Sequence, residues 1–149
     1  MTAEYTAAEI ALWFLNHVRS LSNDENEEYL TNLKLQKLLY YAQGASLALH
    51  DRPLFDDRIE HWTHGPVVPD VYRIYSKYGG SPIIFDEDYE EKIDSDTDAL
   101  LVDVYDTFGC YSAWGLRNLT HGEDQWKNTS RNDEITQESI KKYFKEHYV

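Results

Sequence analysis

Apolar side chains fall at intervals of three and four at Ile10, Trp13, Phe14, Leu15 and Val18, which predicts an amphipathic helix over residues 7–20. Thr6-Ala-Ala-Glu9, at its start, has the form of a capping box, with the threonine oxygen accepting from the backbone and Glu9 reaching back. A second stripe of Leu35, Leu38, Leu39, Ala42, Ala45 and Leu49 predicts a helix from Asn32 to Leu49, with Thr31 as its N-cap. Gly44 and the small residues Ala42, Ala45, Ser46 and Ala48 permit close approach of a neighbouring element, so this is expected to be the central helix.

Pro53 breaks that pattern. RIEHWT (58–63) and PIIF (82–85) are too short for independent helices and read as extended pieces. Between them, Pro69 suits the first turn of a helix through Lys77, ended by Gly79-Gly80, with Val68, Tyr72 and Tyr75 on its apolar side. Asp96 or Thr97 would cap a further helix carrying Ala99, Leu100, Val102, Val104, Tyr105 and Phe108, closed by Gly109. Ser112 would cap a short helix through about Leu119. A short extended stretch at Glu134-Ile135 then leads to a last helix from near Thr136, with Ile140, Tyr143 and Phe144 inward. There is no repeat, long linker or low-complexity tract. The expected architecture is mostly α (α+β): a single compact helical domain over residues 1–149 with a small inserted β-element.

Composition narrows the function. The single cysteine, Cys110, excludes a disulfide framework and a four-cysteine zinc site, and fits a reduced intracellular setting. With no charged leader and no run approaching a membrane span, a soluble cytoplasmic chain is expected, with the sequons at Asn118 and Asn128 unused. A net charge of −13 opposes binding to phosphate, so neither nucleic acid nor membrane is an expected partner. The charge is uneven: residues 86–106 hold ten carboxylates against Lys92 alone, NDENEE (23–28) adds four, and 117–149 is balanced. Such runs serve as solvated faces, as steering toward a basic protein, or as mimics of nucleic-acid phosphates.

Catalytic signatures are weak. His61-x-x-His64 has a spacing compatible with a metal pair that His121, His50 or Cys110 would complete, but residues three apart on a strand point to opposite faces. No nucleophile elbow, P-loop or dinucleotide fingerprint is present, and Gly79-Gly80-Ser81 ends a helix rather than opening one. Glu60 or Asp70 beside His64 would make an acid–base pair, yet carboxylates are abundant enough for such pairings to arise freely. No cofactor, metal or catalytic residue is assigned.

Twelve tyrosines and four tryptophans offer contact area with a polar tip, a composition favoured at protein interfaces. Consecutive helical residues diverge by roughly 100°, so at most one ring of Tyr40-Tyr41 should sit squarely on the Leu35/Leu38/Ala42 stripe. The other should flank the core or face a second surface. In HGPVVP, Gly65 permits a positive φ, Pro66 bars helical geometry before it, and Pro69 pre-sets the next helix start. That is a rigid corner.

TNLKLQKLLYYAQG (31–44), PLFDDRIEHWTHGPVVPDVYRIYSKYG (53–79) and LTHGEDQWKNT (119–129) together resemble the Panacea antitoxin domain, the SocA-like family of phage-associated proteins. The resemblance covers nearly the whole chain; it departs at Gln125, where the family often has proline before the tryptophan that is Trp126 here. It implies an antitoxin of a toxin–antitoxin system, neutralising a cognate toxin protein by direct binding, with a place in prophages and phage defence. It also implies an alternative, a proteolytic adaptor delivering the toxin to a cellular protease. No catalytic residues are established for the domain. The candidate partner contacts on the signature segments are Tyr40, Tyr41, His64, Val67, Tyr72 and Trp126. A histidine- and carboxylate-dependent hydrolase is the rival from another class. Because one domain accounts for the whole chain and its charge opposes DNA, repression of its own promoter is not expected.

Overall fold

In a computed structural model the described residues are 3–22, 29–109, 119 and 133–148. The expected helix over 112–119, apart from Leu119, and the candidates Cys110, His121 and Trp126 lie outside them. Helix α1 spans Ala7–Leu21, and the predicted capping box is present: Thr6 Oγ1 accepts from the Glu9 amide while the Glu9 carboxylate accepts from the Thr6 amide. Helix α2 spans Asn32–Leu49 with Thr31 as its N-cap.

The hairpin β1 (Ile59–Trp62) and β2 (Gly65–Val67) follows, then α3 (Pro69–Tyr75) and one 3₁₀ turn (Ser76–Tyr78). Helix α4 covers Ser95–Phe108, β3 Glu134–Ile135 and α5 Gln137–His147. The three strands form an antiparallel sheet in the order β2-β1-β3, pairing Glu60 with Val67 and Ile59 with Ile135. The result is mostly helical with a small sheet, as the pattern predicts.

The centre is α2. Fourteen of its 18 residues are buried, because α1, α3, β2, α4 and α5 pack around it. Its amphipathic stripe therefore understates its burial: a helix enclosed on nearly every side has no solvent face to keep polar. Leu49 departs from the stripe and is exposed at the open end of the helix. Gly44 works as expected, since an added Cβ there would lie 2.4 Å from the Phe144 ring of α5. Asp51 turns the chain after α2 at φ 57° and pairs with Lys141 of α5.

Three other expectations need correction. Helix α4 is capped by Asp94, not by Asp96 or Thr97: the Asp94 carboxylate accepts from the Thr97 amide at 3.1 Å and from its hydroxyl at 2.7 Å. On this helix Leu101 faces the core, whereas Ala99 is exposed. The 82–85 stretch makes only an isolated bridge, Thr31 to Pro82, since Pro82 has no amide N–H with which to extend a ladder. Finally, α3 stops at Tyr75 and tightens into the 3₁₀ turn before Gly79 at φ 56°, and its most buried residue is Val71.

Candidate functional site

The polar residues of TNLKLQKLLYYAQG have a mechanical task. Gln36 Oε1 accepts from the Val68 amide at 2.9 Å, and its Nε2 donates to Asn32 Oδ1 at 2.9 Å. Asn32 Nδ2 in turn donates to the Tyr72 carbonyl at 3.1 Å, and the Lys37 ammonium lies 3.4 Å from the Pro66 carbonyl. About two turns further along, Gln43 binds the segment that follows the helix: its Nε2 donates to the Phe55 carbonyl and its Oε1 accepts from the Leu54 amide, each at 2.8 Å. Ser46 donates to the Arg52 carbonyl at 2.7 Å. Buried backbone groups that do not enter a helix or sheet need such partners. The polar side of α2 thus fixes the 52–55 and 66–72 segments in place.

Held in this way, the rigid corner becomes a hairpin. Trp62 pairs with Gly65 across a turn of Thr63 and His64, and neither turn residue has a positive φ. Gly65 carries it instead, at φ 116°, so a side chain there would strain the backbone. The turn projects Thr63 and His64 into solvent.

Beside it lies an open groove of ≈ 500 Å³ lined by Asn32, Leu33, Trp62, Thr63, His64, Val67, Tyr72, Gly79 and Gly80. The Trp62 and Tyr72 rings meet edge to face at 5.0 Å. Trp62 Nε1 donates to Glu60 Oε1 at 3.0 Å, and Glu60 pairs with Arg58 at 2.9 Å, which fixes the indole's polar edge. The groove is therefore a preorganised aromatic surface, with an imidazole at its mouth.

The six candidate contacts separate cleanly. His64, Val67 and Tyr72 converge on this groove, although Val67 is 3% exposed and contributes only to its floor. Tyr40 and Tyr41 are both 0% exposed, which corrects their reading as surface contacts. The two diverging directions both point into protein, because neighbours surround α2. Tyr41 stacks on Phe108 at 3.9 Å, and Tyr40 meets Phe144 edge to face at 5.6 Å. Trp126 lies outside the described residues. Sequence reasoning missed Trp62, Leu33 and Asn32; the four-residue spacing of Asn32 and Gln36 on one helix face was the available signal for the clamp.

As for catalysis, among the described residues no three His, Cys, Asp or Glu side chains are grouped as a metal set. No described helix is long and apolar enough to cross a membrane.

A family model described as "Antitoxin SocA-like, Panacea domain" matches residues 35–127, well over half the chain. Its span includes most of α2, the hairpin, α4 and the groove's lining apart from Asn32 and Leu33. The chain is also similar to Antitoxin SocA of Caulobacter vibrioides (strain NA1000 / CB15N), with 49% identity over 55 residues. That alignment covers 37% of this chain and 29% of the relative, so the chain matches under a third of that protein's length. No solved structure matches. The protein whose central helix clamps a proline-bounded hairpin in this way belongs to the SocA-like antitoxin family with a Panacea domain.

Proposed function

We propose that this protein is an antitoxin that neutralises a cognate protein toxin by direct binding, without catalysis by its own side chains. The similarity to Antitoxin SocA, together with the Panacea-domain match, carries this reading. The groove beside the Thr63–His64 turn supports it: aromatic rings and an exposed imidazole on a fixed backbone suit protein recognition, since little order is lost on binding. His64 and Tyr72 are the contacts proposed there, with Trp62 as the third aromatic element.

Co-expression with the product of the neighbouring gene tests the proposal. That product should arrest growth alone and be rescued by this chain. His64→Ala with Tyr72→Ala should weaken rescue while leaving the melting temperature within a few degrees. A neighbouring product that is harmless, or toxic and not rescued, contradicts the antitoxin role. In the same cells, direct binding leaves the toxin's half-life unshortened, whereas adaptor-driven proteolysis shortens it.

A further inference from the structure

A second surface lies along α1. A hollow of ≈ 250 Å³ is lined by Glu9, Leu12, Phe85, Tyr89, Ile93 and the acidic stretch around Glu87–Glu90. A neighbouring hollow of ≈ 290 Å³ shares Leu12, Phe85 and Glu87 with it and is walled by Ile74 and Ile84. The two hollows adjoin at these shared residues and are taken together as one groove.

Its floor is apolar, and its far wall exposes large aliphatic groups: Ile84 is 68% and Ile74 51% exposed. Adjacent exposed isoleucines beside a concave apolar floor are uncommon on a surface with no partner. The loop bearing the groove is fixed: the Arg19 guanidinium lies 4.5 Å over the Phe85 ring and donates to the Glu87 carbonyl at 2.6 Å. Four carboxylates (Glu9, Glu87, Asp88 and Glu90) line the groove against the ammonium groups of Lys92 and Lys77. Among the described residues no ion pair engages Glu87, Asp88 or Glu90.

We propose that this groove docks a basic segment of a partner protein, with aliphatic anchors seated against Leu12, Phe85 and Ile84 and its lysines or arginines facing Glu87–Glu90. Charge complementarity selects the occupant. An acidic or neutral apolar segment would leave those carboxylates partly desolvated and unpaired, while a basic one pairs them and is drawn in from a distance. The assignment rests on this groove alone and does not depend on the toxin using the hairpin groove.

Fluorescence anisotropy tests it with the whole chain and a fluorescein-labelled amphipathic peptide of lysine and leucine. The peptide should bind, and Glu87→Gln with Glu90→Gln should weaken it by about tenfold, as should Ile74→Ser with Ile84→Ser. Asp103→Asn with Asp106→Asn removes the same charge from α4 outside the groove and should leave binding unchanged. Circular dichroism should show every variant folded. The proposal is overturned if the peptide fails to bind, if the α4 variant weakens it equally, or if a lysine–serine peptide binds as tightly. It is also overturned if the chain dimerises through this face, with its own lysine-bearing α5 as the occupant.

Discussion

At the scale of single residues, two side chains carry more than their type suggests. Asp94 caps α4 and accepts a hydrogen bond from the Tyr5 hydroxyl, which draws its carboxyl down from 3.8 to about 2. A depressed folded-state value contributes stability that is present above pH 4 and lost as pH falls through about 2. Asp94→Asn, which keeps a capping oxygen without the charge, should therefore show a shallower loss of stability than the wild type across that window, read by urea melts at each pH. Asp94→Ala should cost about 1 kcal/mol at neutral pH through loss of the cap. Gln36 is the second: it is fully buried and satisfies both the Val68 amide and Asn32. Gln36→Leu strands both partners and should cost about 2–4 kcal/mol, measured by chemical denaturation. Neither role is visible from residue identity. A glutamine between Leu35 and Leu38 reads as a solvent-facing helix residue until the segment it holds is placed beside it.

Elements show where local pattern suffices and where it fails. Helices α1 and α2 were legible almost to the residue, because capping threonines and apolar spacing are local signals. The start of α4 was not, since Asp94, Asp96 and Thr97 all suit a cap, and the Tyr5 contact that engages the first comes from 89 residues away in sequence. Strand β2 was hidden by its proline: Gly65-Pro66-Val67 reads as a corner, and it pairs only because β1 is delivered beside it. The Tyr40–Tyr41 error has the same origin, for periodicity reports a helix's own faces and not how many neighbours cover them. The groove was half legible: His64 and Tyr72 were singled out on the signature segments, whereas Trp62 and Leu33, on the same segments, are shown to line it only by the fold. Packing of α5 on α2 gives a prediction at this scale. Gly44→Ala drives a methyl into the Phe144 ring and should cost about 1–3 kcal/mol, while Phe144→Ala opens a cavity at about 3–5 kcal/mol. In the double variant part of the clash is relieved, so its loss should fall short of the two single losses added together. Thermal melts of the three variants check this.

For the whole molecule, the proposed role makes charge the property to test. A fixed hairpin groove, a second acid-rimmed groove and a net charge of −13 are the features on which the proposed binding role rests. A chain this acidic attracts basic proteins over a Debye length of about 10 Å at 0.1 M salt, and that attraction shrinks as salt rises. Association with a basic partner should accordingly slow with ionic strength while dissociation changes less, as stopped-flow mixing at several salt concentrations would show. The most direct test of the antitoxin reading is a titration. The purified toxin from the neighbouring gene is mixed with increasing amounts of this chain, and residual toxin activity is read. Neutralisation by occupancy predicts a linear fall to an end point at a fixed molar ratio, reached at once and unchanged by longer incubation. Progressive inactivation of excess toxin by a small fraction of this chain would contradict it.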